Sequence, residues 1–236
     1  LDLAHGALTY ISEAAAGTPV VLGVQRRDDM AYYNSAVLLG PDAEVVQTYD
    51  KHHLVPFGEY IPFGDLLGRI GLRGMAAQFG SGFSSGPGAD LMDLGPLGQA
   101  LPLICYEAVF ARDVNAAPAR PAFLMQLTND AWFGKGQGPL QHLAQARMRA
   151  IEQGLPMARV ANTGVSAMID PWGRITKSLA LNEAGFLDAP LPAPRPATPY
   201  SRWGEWPFLS ITLAGFALVI LRRRRNLKFD QRGRQS

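Results

Sequence analysis

Sixteen consecutive uncharged residues, WPFLSITLAGFALVIL at 206–221, run directly into four arginines, Arg222, Arg223, Arg224 and Arg225. A charge-free run of this kind has to be withdrawn from water, either in a protein core or in a bilayer. Its length is slightly under the ~17–25 residues that cross a bilayer core, so length alone leaves both open. The flanks favour the bilayer: Trp203 and Trp206 supply an interfacial aromatic belt at one end, and the arginines stop the segment at the other. Residues 203–221 therefore read as a transmembrane helix and 222–236 as a basic tail. The positive-inside rule places that tail in the cytoplasm and residues 1–200 on the opposite side. Residues 189–202 read as a stiff Pro-rich linker, with five prolines at 189–199, closing a globular domain of residues 1–188.

The tail also accounts for the basic pI of 8.8. It holds six Arg and one Lys against one Asp, leaving fifteen basic residues against nineteen acidic ones in residues 1–221. A mildly acidic folded part argues against nucleic acid as a partner, because phosphate binding needs a basic face on the domain itself. With 236 residues the chain has room for one full domain and a modest appendage. Charged residues are only 18 % and apolar ones 47 %, which excludes a disordered chain and fits contact with a membrane. Cys105 is the single cysteine, so no internal disulfide or multi-cysteine metal site exists. His52 and His53 are adjacent and would point to opposite faces of a strand, and His5 and His142 add no ligand spacing. No metal and no cofactor are expected.

Short β-branched or aromatic runs at 19–24, 32–39, 45–49, 101–105, 123–128, 157–161 and 166–169 predict strands. Residues 139–153 place Leu140, Leu143, Ala144, Met148 and Ile151 near helical spacing, with Gly154 as the stop. Asp170-Pro171-Trp172-Gly173 predicts a turn between two strands. Continuous apolar strands mixed with amphipathic helices indicate an α/β domain whose sheets are covered by helices. Residues 62–88 fit least well: Phe63, Leu66, Leu67, Ile70 and Met75 form a helical stripe, either a helix on the core or a mobile apolar arm exposed to lipid. The opening LDLAHGALTYISEAAAG has no basic n-region and reads as the middle of an amphipathic helix, so the chain is expected to continue upstream of Leu1.

Chemistry points to Cys105, at the end of LPLIC and before Tyr106, Glu107 and a helical stretch. At a strand-to-helix junction, backbone N–H groups and the helix dipole would lower the thiol's pKa. A lone cysteine in an apolar run is more often an inert core residue, so its surroundings must decide. Those surroundings include YDKHHLVPFGEYIP at 49–62. There Lys51 follows a strand, where an ammonium suits the oxyanion of a tetrahedral intermediate. Glu59, after a turn, suits orienting that lysine or moving protons, although a solvated turn glutamate is equally ordinary.

YDKHHLVPFGEYIP, then ICYEAVF, LTNDAWFG and ANTGVSAMIDPWG, together resemble the carbon-nitrogen hydrolase (nitrilase) superfamily. Within it, LVPFGEYIP, CYE, TNDAWFG, the GPLQH…ARMRAIE helix and the apolar C-terminal segment with its basic tail are similar to the apolipoprotein N-acyltransferase family of the bacterial inner membrane. The resemblance implies an α-β-β-α sandwich followed by a transmembrane helix, with the catalytic domain in the periplasm. It implies that Cys105 takes an acyl chain from a phospholipid as a thioester and passes it to the α-amino group of a diacylglyceryl apolipoprotein. Lys51 and the Tyr106 N–H would hold the oxyanion, and Glu59, Tyr106 and Glu107 would form the surrounding acid shell. The family's general base is a Glu upstream of the lysine, and neither Glu13 nor Glu44 fits that setting, so the catalytic domain is expected to be truncated at its N-terminus. A soluble-type amidase acting on small carbon-nitrogen substrates is the alternative, against which the apolar segment at 203–221 weighs.

Overall fold

The structure, a computed structural model, describes residues 5–62 and 82–233. It separates into two units, Leu1–Pro196 and Ala197–Ser236. In the first, helix α1 (His5–Ala14) precedes an antiparallel sheet of β1 (Val20–Asp28), β2 (Ala31–Leu39) and β3 (Val45–Asp50). A second sheet comes next in chain order: β4 (Met92–Asp93), β5 (Gln99–Ile104), β6 (Phe123–Asn129), β7 (Met157–Asn162), β8 (Ser166–Ile169) and β9 (Ile175–Leu179). Its centre, β5 to β7, is parallel, and the flanking pairs are antiparallel. Helices α2 (Ala111–Asn115) and α3 (Gly138–Gln153) lie in the two parallel crossovers.

The two-residue period of a strand decides the layering. Along β5, Leu101 and Leu103 join Leu124 of β6 and Met157 of β7 under Leu143, Ala146 and Ala150 of α3. The intervening Ala100 and Ile104 face the other way, meeting Ala36, Leu38 and Tyr49 of the first sheet. On that sheet's far side, Leu39 and Ala43 pack with Leu8 of α1. The layers are thus helix, sheet, sheet and helix, and strands buried on both faces are apolar nearly throughout. Helix α3 opens with Pro139 in its first turn and ends at Gly154. That glycine has φ 63°, the left-handed conformation that lets the Gly154 and Leu155 N–H groups reach back to Ile151 and Ala150 carbonyls.

Every strand read from the sequence is present to within a few residues, and Asp170–Gly173 is the turn between β8 and β9. Strand β4 was not anticipated, and β9 was expected only as the second strand of that turn, without bounds. The helical stripe of Phe63, Leu66, Leu67, Ile70 and Met75 lies outside the described residues. The Pro-rich segment, expected at 189–202 as a stiff spacer beyond the globular domain, lies partly on the first unit. Leu191 packs on the core between the sheets, and the Arg195 N–H donates to the Gly154 carbonyl at 2.9 Å, so the first unit runs on to Pro196.

The second unit begins with a short helix, α4 (Pro199–Trp203), capped by the Thr198 hydroxyl, which accepts from the Ser201 N–H. After Gly204 comes α5 (Trp206–Gly233). Its segment Trp206–Arg223 is long and apolar enough to cross a membrane, and none of it is buried by the protein. The helix continues past the arginines instead of stopping at residue 221 as expected, because Arg, Lys and Gln limit membrane depth but favour helix.

Candidate active site

Strand β5 delivers Cys105 to the carboxyl edge of the parallel strands, the usual place for chemistry in such sheets. There the backbone reverses sharply: Cys105 has φ 49°, a left-handed conformation uncommon outside glycine, and it opens a five-residue 3-10 turn to Val109. Glu107, fully buried in that turn, reaches back so that its Oε2 accepts the Ile104 N–H at 2.7 Å. Its Oε1 accepts the Tyr49 hydroxyl at 3.0 Å and the His52 and His53 N–H groups at 2.8 and 3.3 Å. His52 Nδ1 lies 2.8 Å from the same oxygen, and this bond raises the pKa of His52 over the opposing effect of burial. Glu107 therefore ties the cysteine turn to the segment after β3, and both of its oxygens are occupied in doing so.

That segment carries Lys51, a residue only 1 % exposed. Its Nζ is 2.6 Å from Glu59 Oε2, which also accepts the Val55 N–H at 2.8 Å. The Asn34 amide donates to Glu59 Oε1 at 3.2 Å. An ammonium withdrawn from water and held by such a partner has a fixed direction. The structure thus brings Lys51 and Glu59 together as one unit. It places Glu107 under the turn, and it sets the Tyr106 ring against His53 and Phe110 at centroid distances of 5.0 and 4.8 Å. The His53 ring pairs through Nδ1 with Asp113. Among the described residues no group of three His, Cys, Asp or Glu side chains is placed to hold a metal.

The thiol is not activated by a helix terminus, contrary to expectation. The segment that directly follows it is a five-residue 3-10 turn and not an α-helix, and burial pushes the Cys105 pKa above its ordinary value. A hydrogen bond with the Thr128 side chain and the charge of Lys51 oppose that rise without cancelling it, while Glu59 and Asp130 add to it. A thiol in this state reacts only when a base takes its proton. Glu13 and Glu44 are both exposed, in keeping with neither belonging to the site.

One group of site residues was missed in the sequence. Beneath Cys105 lie Gln126 of β6, Asp130 just after β6, His142 of α3 and Arg159 of β7, all buried. Arg159 Nη2 is 2.6 Å from Asp130 Oδ2 and Nη1 donates to Gln126 Oε1. Asp130 Oδ1 lies 2.8 Å from His142 Nδ1 and accepts the Thr128 hydroxyl at 3.0 Å. Burial would raise the Asp130 pKa, but His142 and Arg159 outweigh it and hold the carboxyl below its usual range. A signal did exist: Gln126 and Arg159 stand inside otherwise apolar runs, FLMQLTN and MARVAN, where a polar residue must have found a partner.

Residues 12–195 match the family model for carbon-nitrogen hydrolases. Curated relatives include the apolipoprotein N-acyltransferase of Rhodopseudomonas palustris, 48 % identical over 81 % of this chain and 36 % of that protein. Those of Bradyrhizobium diazoefficiens and Brucella melitensis are 45 and 39 % identical over 90 and 95 % of this chain and 40 and 44 % of theirs. The chain therefore spans about two-fifths of the length of these relatives. Among solved structures, a carbon-nitrogen hydrolase from Helicobacter pylori G27 superposes with TM-score 0.56 at 16 % identity, covering 78 % of this chain and 65 % of that one. An amidase from Nesterenkonia sp. AN1, described with an adduct at its active-site cysteine, superposes with TM-score 0.53 at 20 % identity, covering 76 and 65 %. At such identities these likenesses establish the fold.

Proposed function

The chain belongs to the carbon-nitrogen hydrolase family, and on that premise we propose that it carries the acyl-transfer machinery of an apolipoprotein N-acyltransferase. The observation that carries the reading is the pair of buried Lys51 and half-buried Glu59, 2.6 Å apart, with both charges bearing on the Cys105 thiol. Cys105 Sγ, giving up its proton to a carboxylate base, attacks the ester carbonyl of a phospholipid. The oxyanion forms against the Lys51 ammonium and the Tyr106 N–H. Collapse expels a lysophospholipid, which takes a proton as it leaves, and an acyl thioester remains on Cys105. The α-amino group of an S-diacylglyceryl cysteine then attacks the thioester, forming the amide and returning the thiol.

Glu59 is committed to Lys51, Val55 and Asn34, and Glu107 to the backbone it ties together. Neither is free to act as the base, which supports a Glu from upstream sequence in that role. Helix α5 supports attachment to the inner membrane, with the first unit in the periplasm and the arginine-rich end in the cytoplasm. Radiolabelled phosphatidylethanolamine should leave a hydroxylamine-sensitive label on the full-length protein and none on its Cys105→Ala variant. Label that persists in the variant contradicts the assignment. Turnover of small amides with no transfer from phospholipid would favour the amidase reading instead.

A further inference from the structure

Four polar side chains buried beneath one residue need a reason, since burying them costs more than apolar packing of the same volume. Two of their contacts converge on Cys105. Its carbonyl oxygen lies 3.1 Å from His142 Nε2 and 3.4 Å from the Gln126 amide nitrogen. Thr128, whose hydroxyl donates to Asp130 at 3.0 Å, acts to lower the pKa of the Cys105 thiol against burial. The two side chains that face the carbonyl are themselves locked, and His142 Nε2 also lies 3.1 Å from the Gln126 amide nitrogen. Arg159 holds Gln126 Oε1, which turns the amide nitrogen toward the carbonyl, and Asp130 faces His142 Nδ1. Arg159 is held in turn by Asp130 and by the Val165 carbonyl, which accepts from Nε at 3.2 Å. The Phe133 ring covers His142 edge-on at 5.3 Å.

The Cys105 carbonyl and the Tyr106 N–H belong to one planar peptide unit and point in opposite directions. Fixing the carbonyl toward the buried network therefore aims the Tyr106 N–H away from it. Tyr106 is the second residue of a 3-10 turn, so the turn supplies no acceptor for that N–H. The left-handed Cys105 backbone costs of order 1–3 kcal/mol and persists only where its surroundings hold it.

We propose that Gln126 and His142, locked by Arg159 and Asp130, are positioning residues that clamp the Cys105–Tyr106 peptide so that the Tyr106 N–H faces the developing oxyanion. This rests on the acyl-transfer reading above. Alkylation of the thiol by iodoacetamide forms no oxyanion, whereas acylation does, and the two reactions separate aim from general damage. Both rates are to be measured on the full-length protein at one pH, with labelled phosphatidylethanolamine as acyl donor. His142→Asn keeps a group facing Asp130 and removes the one facing the carbonyl. It should slow acyl-enzyme formation about a hundredfold and alkylation less than about threefold. His142→Gln, whose amide nitrogen reaches the place of Nε2, should recover most of the loss. Gln126→Leu should slow acylation at least about tenfold, again with alkylation spared. Equal losses in both reactions across the variants, or no loss of acylation, overturn the clamp alone. A wild type that takes no acyl group on Cys105 while still being alkylated there overturns the acyl-transfer reading and the clamp with it.

Discussion

A buried thiol with a raised pKa and no helix dipole beneath it puts the burden of activation on a separate base. The thiolate is the reactive form, so raising the pKa lowers its share at pH 7 and moves the reactive range upward. In a variant lacking the proposed base, the alkylation rate of Cys105 should keep climbing with pH beyond the ~8.5 of a free thiol. A plateau reached below pH 8 would contradict burial as the dominant influence on this cysteine. Cys105, Lys51, Glu59 and Glu107 were legible as residues because they stand in short local motifs. Asp130 and Arg159 were not legible as a pair, since their ion pair joins positions twenty-nine residues apart and the place of Arg159 in an apolar run shows only that it needs a partner, not which one. The role of Glu107 was also beyond sequence reading, because four of its donors come from the Tyr49–His53 segment, more than fifty residues away.

Element by element, strands buried on both faces announced themselves, whereas β9, ITKSL, is half polar and almost wholly exposed. Strand β4 is two residues long and shows no period at all. The loop between β7 and β8 carries a tighter constraint than its NTG sequence suggests. A Cβ at Gly164 would stand 2.3 Å from Asp130 Oδ2 and 2.8 Å from Asp130 Cβ. That carboxylate cannot swing aside, being held by Arg159, His142 and Thr128. Gly164→Ala should therefore cost about 1–3 kcal/mol, lower the melting temperature by several degrees and depress acyl-enzyme formation. Gly136→Ala, where the added carbon meets nothing within 4 Å, should leave both unchanged. Equal behaviour of the two variants in thermal melting and acylation would show that the Asp130 carboxylate is not rigidly held.

At the scale of the whole molecule, a catalytic unit of sheets and helices is joined in sequence to a helix with sixteen uncharged residues and a basic end. The charge asymmetry about that helix predicts its direction. A reporter active only outside the cytoplasm should be silent when fused after Ser236 and active when fused at Ala197 of the full-length protein. The reverse pattern would refute the orientation. Sheets covered by helices were visible in the periodicity of the sequence and the apolar helix in its charge-free run, while the order of the layers followed from the family resemblance alone. The placement of Leu191 and Arg195 on the first unit was not visible, since a Pro-rich run reads the same whether free or docked. Acyl passage through Cys105 is the central claim, and the most direct measurement is the mass of the Cys105 peptide during a single turnover. After incubation with phosphatidylethanolamine that peptide should gain one acyl group. Addition of an S-diacylglyceryl-cysteine peptide should remove the group and return it as an amide on the acceptor, whereas an acyl mass found on another residue, or one that the acceptor does not discharge, would contradict the account.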